Sequence, residues 1–147
     1  MSFADKVHEA QGFVSTHFGY DVSNLGLLYE AIDTSGLTGR QSNKRLALVG
    51  DGALGIAMVA AWYPSGVGSN WLAQLSNIHL AAVAREIGLD RCLIPHPGHF
   101  GRLSDATLAT SLEAVIGAIY LDCGGSIPLI ESVMRKIGIN MPAQIDN

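Results

Sequence analysis

The sequence predicts an all-α fold, and three observations carry that expectation. Apolar residues recur at helical spacing along almost the whole chain, and no run reads as a strand by alternation. Ser, Pro and Gly stand where helix starts and stops are needed. With 147 residues, 48% hydrophobic and 15% charged, the chain is long and apolar enough for one well-packed domain.

The elements follow in order. Ser2, with Asp5 three residues on, caps a first helix whose apolar face is Phe3, Val7, Ala10, Val14 and Phe18 and whose stop is Gly19. Ser23 is placed to cap a short helix with Leu25, Leu28, Ala31 and Ile32 inward. A polar loop runs from Asp33 to Gln41. Ser42 is the expected cap of a long third helix that lasts until Pro64, because a proline pushes the preceding residue out of helical conformation. After the Pro64–Gly68 turn come apolar stretches at Trp71–Leu75 and Ile78–Ala84, ending at Gly88, and then a His-, Pro- and Gly-rich loop from Leu93 to Gly101. Ser104 caps a second long helix with the stripe Leu108, Leu112, Val115, Ile116, Ile119 and Tyr120, stopped by Gly124 and Gly125. Ser126 and Pro128 open a last helix that closes on Arg135, Lys136 and Gly138. The domain is expected to span 1–139, with 140–147 a polar, frayed tail. No repeat, low-complexity segment or linker interrupts it.

Charge and cysteine content narrow the function. A formal net charge of −4 argues against nucleic-acid binding through an overall basic field, although a local patch at Lys44 and Arg45, with Arg40 near, is a candidate RNA contact. The alternative for these residues is a solvated helix start. Two cysteines, Cys92 and Cys123, make no disulfide framework, and no secretory signal precedes the first helix, so an intracellular setting is expected. The stretch Leu46–Tyr63 is apolar enough to suggest a membrane span. Asp51 in its middle would cost roughly 2.5–3.5 kcal/mol on insertion scales. A buried helix at the centre of the domain, with no membrane, is the expectation.

Gly50, Gly52 and Gly55 form G-x-G-x-x-G, the spacing of a dinucleotide-binding turn. That turn needs a preceding strand, a parallel sheet and an acid about 20 residues on for the ribose. No Asp or Glu occurs between Gly52 and Arg85, and no second strand follows. A dinucleotide binder is therefore a minor alternative.

The same segment, Asn43-Lys44-Arg45-Leu46-Ala47-Leu48-Val49-Gly50-Asp51, resembles the signature of the ribonuclease III family, usually Asn-Glu-Arg-Leu-Glu-Phe-Leu-Gly-Asp. Three further fragments match in order: Phe18-Gly19-Tyr20 with Leu27–Ala31, Leu75-Ser76-Asn77 with Leu80–Ala84, and Glu113–Asp122. Four fragments in register make the resemblance specific and extend it over nearly the whole chain. It implies a helical endonuclease domain that cuts double-stranded RNA with Mg²⁺, or Mn²⁺ as substitute, held by carboxylates. It also implies a homodimer, or a heterodimer with an active relative. Many relatives carry a separate double-stranded-RNA-binding domain, for which this chain has no room.

The ligands that the resemblance implies come as a Glu/Asp pair at i, i+4 and an Asp/Glu pair at i, i+3, each on one helical face. This chain keeps Asp51 and Glu113 as candidate metal and catalytic residues. Ala47 and Thr110 stand where the other two acids belong, and Lys44 replaces an outer Glu. Two carboxylates with waters could hold one hydrated Mg²⁺ weakly, or none. Asp51 could instead form a buried structural pair with Arg45 or a neighbouring helix. Asp105, Asp122, Asp90 and Glu86 lie too far along their helices to substitute. The leading expectation is a catalytically degenerate ribonuclease III-like domain, a dimeric RNA-associated or assembly module. The alternatives are a weak or unusual endoribonuclease and a protein-binding scaffold without RNA.

Other groups are weaker candidates. His96-Pro97-Gly98-His99 resembles a metal clip but has no cysteine or carboxylate at ligand spacing. His79 is read as a packed or dimer-edge residue, and His8 and His17 have no partner pattern. Trp62, Tyr63 and Trp71 suit core or dimer packing better than base stacking.

Overall fold

A computed structural model describes residues 2–37 and 42–144. The described residues form six α-helices: α1 (Phe3–Phe18), α2 (Leu25–Ile32), α3 (Lys44–Trp62), α4 (Asn77–Ile87), α5 (Asp105–Asp122) and α6 (Ile127–Ile137). Short 3₁₀ turns occupy Tyr63–Ser65, Leu72–Leu75 and Leu89–Cys92. No strand forms among the described residues. An isolated bridge between Asp33 and Ile94 ties the end of α2 to the loop after α4, with Thr34 N–H donating to the Ile94 carbonyl at 2.9 Å.

The most extensive packing in the domain is α3 against α5; α2 and α4 cover other sides of α5, and α6 lies on α3. Helix α5 is buried nearly all round, from Leu108 through Ile119 apart from Thr110 and Glu113. The single stripe expected from sequence was too narrow because this helix has neighbours on every side, the condition under which a helix stays apolar around its circumference. Helix α3 is long and apolar enough to cross a membrane by composition. Here Leu46, Ala47, Gly50, Ala53, Leu54, Ala57 and Met58 form its buried face. Its other face is open, with Leu48 75% and Ile56 55% exposed.

Two glycines set the distance between α3 and α5. A Cβ on Gly50 would collide with the Glu113 carbonyl, and a Cβ on Gly117 with the Leu46 carbonyl. The helices therefore meet backbone on backbone. Gly52 and Gly55 face open space instead. The three glycines thus lie inside one helix, with no strand before them and no phosphate turn, which removes the dinucleotide reading.

Several caps are as expected. Ser2 and Asp5 form the capping box of α1, and Ser104 and Ser126 cap α5 and α6. Two differ. Asn24, not Ser23, caps α2, accepting from Gly26 and Leu27 N–H; the Ser23 N–H is taken by Asp122 at 3.0 Å. Asn43, not Ser42, is the residue before α3. Ser42 sits at φ 55° and donates its hydroxyl to the Asp33 carbonyl. Asn43 does not cap with its side chain either, because its amide is buried between the Ala31 carbonyl (2.9 Å) and Ser111 Oγ (3.0 Å). The tail also departs from expectation. Met141 and Pro142 are buried, and Arg135 donates to the Pro142 carbonyl at 2.7 Å. Arg40, Gln41 and residues 145–147 lie outside the described residues.

Candidate functional site

The crossing of α3 and α5 brings the two surviving acids together. Asp51 follows Gly50 directly, and Glu113 is the residue whose carbonyl rests on Gly50. Their side chains hydrogen-bond to each other. Glu113 is half-buried, and burial, then the hydrogen bond and charge of Asp51, push its carboxyl up to about 7. Asp51 is exposed. The raised Glu113 carboxyl therefore keeps its proton closer to neutrality than a free glutamate does, beside the Asp51 carboxyl.

The two replaced positions flank this pair. Ala47 is 7% exposed and offers only a methyl. Thr110 is half-buried, one turn before Glu113 on α5, and lines the neighbouring cavity. No cluster of three or more His, Cys, Asp or Glu capable of holding a metal occurs among the described residues. Two of the other candidate acids are engaged elsewhere. Asp105 pairs with Arg85 at 2.8 Å, and Asp122 accepts from Tyr20 Oη (2.7 Å), Ser23 N–H and Asn24 N–H (2.8 Å). A catalytic Mg²⁺ centre needs several anionic oxygens around the ion. Two carboxyls, a methyl and a hydroxyl are too few anionic donors to fit such a centre.

The expected buried pair of Asp51 with Arg45 does not form. Arg45 instead makes a two-pronged ion pair with the buried Glu30, Nε to Oε2 at 2.7 Å and Nη2 to Oε1 at 2.6 Å. Sequence spacing carries no sign of this pair, because the two residues lie 15 positions apart on different helices. Lys44 is exposed at the start of α3. His79 is exposed, with Nδ1 2.7 Å from Ser76 Oγ. Trp62 and Tyr63 meet edge to face, and Trp62 Nε1–H donates to the Ser69 carbonyl.

One grouping was not legible in the sequence. A cavity of about 420 Å³ opens between the start of α3, the loop after α4 and the first half of α5. It collects Lys44, His96, His99 and Thr110 on one wall-to-wall surface. The His-Pro-Gly-His spacing was visible, but its proximity to Lys44, more than 50 residues earlier, depends on the Asp33–Ile94 bridge that anchors both loops.

A six-helix domain with a carboxyl-bearing crossing of its two longest helices is the architecture of a ribonuclease III nuclease domain. The nuclease domain of ribonuclease III from Campylobacter jejuni superimposes with a TM-score of 0.74, covering 92% of this chain and 97% of that one at 22% identity. The family model "Ribonuclease III domain" matches residues 44–124, and the chain belongs to that family. Among curated relatives, Ribonuclease 3 of Leifsonia xyli subsp. xyli is 38% identical over 68% of this chain and 46% of the relative. Ribonuclease 3 of Symbiobacterium thermophilum is 32% identical over 82% of this chain and 56% of the relative. The chain spans about half the length of the curated relatives it matches.

Proposed function

We propose that this chain is a catalytically degenerate ribonuclease III-type domain that pairs with a second copy and serves as an RNA-associated or assembly module. The observation that carries the reading is the donor set at the α3–α5 crossing, where Ala47 and Thr110 stand in place of two acids. Where the family resemblance calls for four carboxylate ligands, the side chains present are two carboxyls, a methyl and a hydroxyl. The two carboxyls offer Mg²⁺ or Mn²⁺ half of that set, so affinity at the pair is expected to be low.

The open face of α3 supports the dimer. Leu48, Ile56 and Gly52 are exposed, and with Val49, Ala53, Tyr120 and Ile127 they border a groove of about 340 Å³. An apolar helix face of this kind normally marks a protein contact. Leu48→Glu is expected to convert a dimer into a monomer in sedimentation. An unchanged mass would remove this face as the interface.

The decisive assay is cleavage of double-stranded RNA in Mg²⁺ and in Mn²⁺. No turnover is expected from the natural chain, and Ala47→Glu with Thr110→Asp is expected to restore some. Turnover by the natural chain that Asp51→Ala abolishes would overturn the degenerate reading and establish a weak endoribonuclease. Salt-sensitive binding of duplex RNA in a gel shift supports the RNA role; its absence favours a protein-binding scaffold.

A further inference from the structure

We propose that the cavity beside Thr110 is a phosphate-binding site that seats a phosphate group of RNA. The site itself is read from its lining; that RNA carries the phosphate rests on the RNA-associated reading above.

The lining contains Lys44, His96, His99, Thr107 and Thr110 and no Asp or Glu. In a chain of net charge −4, a cavity with a lysine, two imidazoles and no acid is a local departure from the overall field. Its volume, about 420 Å³, is in the range of small-molecule sites. The ammonium of Lys44 rules against a divalent cation between the histidines, and no cysteine or carboxylate completes a ligand set there.

Hydrogen bonding within the loop fixes what each imidazole offers. Gly98 N–H donates to His96 Nδ1 at 3.1 Å, so the His96 hydrogen lies on Nε2, which remains a donor. His99 Nε2 lies 2.9 Å from the Gly101 carbonyl, which can only accept, so Nε2–H donates there. Its Nδ1 becomes a second donor when the ring is protonated. Thr107 Oγ1 accepts from Ser104 Oγ at 3.0 Å, which leaves its own hydrogen to donate. Behind these side chains, the first turn of α3 carries no side-chain cap, because the Asn43 amide is engaged inside the core. An ammonium, an imidazole N–H and hydroxyls lining one cavity without a competing carboxylate suit an oxyanion bearing two charges.

The test follows the histidine ring signals of the full-length protein by NMR during titration with inorganic phosphate, with chloride at matched ionic strength as reference. His96 and His99 are expected to shift and saturate, while His8 and His17 on α1 stay fixed. Lys44→Ala and His96→Ala are expected to weaken phosphate binding about tenfold. Both residues are exposed, and an unchanged melting temperature confirms that the variants fold. Short RNA duplexes with a 5′-phosphate or a 5′-hydroxyl then identify the source. A preference for the 5′-phosphate that His96→Ala removes assigns a terminal phosphate. Equal binding of both duplexes, equally weakened by His96→Ala, assigns a backbone phosphate. Histidine signals that ignore phosphate, or that respond to Zn²⁺ instead, overturn the site. Phosphate binding without duplex binding keeps the site and overturns RNA as the bearer.

Discussion

Replacing Glu113 by Gln is expected to stabilise the metal-free domain above neutral pH. In the folded chain the Glu113 carboxyl is raised from 4.5 to about 7 by burial and by Asp51. Below about pH 4 the carboxyl is protonated in both folded and unfolded states, and the shift contributes nothing. Between the two values the folded state keeps its proton while the unfolded state ionises, so stability falls as pH rises, with the full loss reached above about 7. The ceiling is about 3.4 kcal/mol, from about 1.36 kcal/mol per unit. Glu113 is only half-buried, and solvent screening reduces the expected effect to about 1–2 kcal/mol. Glutamine is nearly isosteric, can still hydrogen-bond to Asp51, and never ionises. In a domain of this size the gain corresponds to about 3–6 °C in melting temperature. Thermal unfolding in EDTA, at about pH 4 and about pH 8, measures it: the variant and natural chain should coincide at the lower pH and diverge at the higher. Equal melting temperatures at about pH 8, or a pH-independent difference, would refute the coupled carboxyl pair.

Four further substitutions test the frame around the site. Gly50→Ala forces a methyl into the Glu113 carbonyl and is expected to destabilise by about 3 kcal/mol or more, whereas Gly52→Ala, in open space, should change monomer stability by about +0.5 to +1 kcal/mol; urea unfolding distinguishes them. Arg45→Met removes the two-pronged ion pair to the buried Glu30 and is expected to cost about 1–3 kcal/mol, measured by the same unfolding curves. Asp122→Ala removes the acceptor for Tyr20, Ser23 and Asn24 and should destabilise by about 2 kcal/mol. Burial alone would raise the Asp122 carboxyl, but those hydrogen bonds outweigh it and hold it below the usual range, so this stabilisation is present above about pH 4 and fades as pH falls through the lowered value. In the Asp122→Ala chain, the Tyr20 hydroxyl, pushed up to about 12 by burial and then by Asp122, should titrate lower in an ultraviolet absorbance scan.

The helices were legible because their periodicity and caps are local. The starts at Ser2, Ser104 and Ser126 follow from a few adjacent residues. The starts of α2 and α3 were misplaced by one residue because the serines before them answer to distant groups: Ser23 to Asp122, and Ser42 to the Asp33 carbonyl. The acids at 51 and 113 were found through the family pattern, but their mutual hydrogen bond was not. It depends on how closely two helices approach, which Gly50 and Gly117 determine from different parts of the chain. The partner of Arg45 and the gathering of Lys44 with His96 and His99 were hidden for the same reason: both are tertiary, and neither leaves a spacing signature.

The Gly50–Gly117 seam separates what the domain needs to fold from what a nuclease needs to cut. Position 47 presents a methyl and position 110 a hydroxyl, and the seam holds regardless, because it is made of main chain. Side chains beside this junction can therefore be exchanged without redesigning the interior that holds the two helices together.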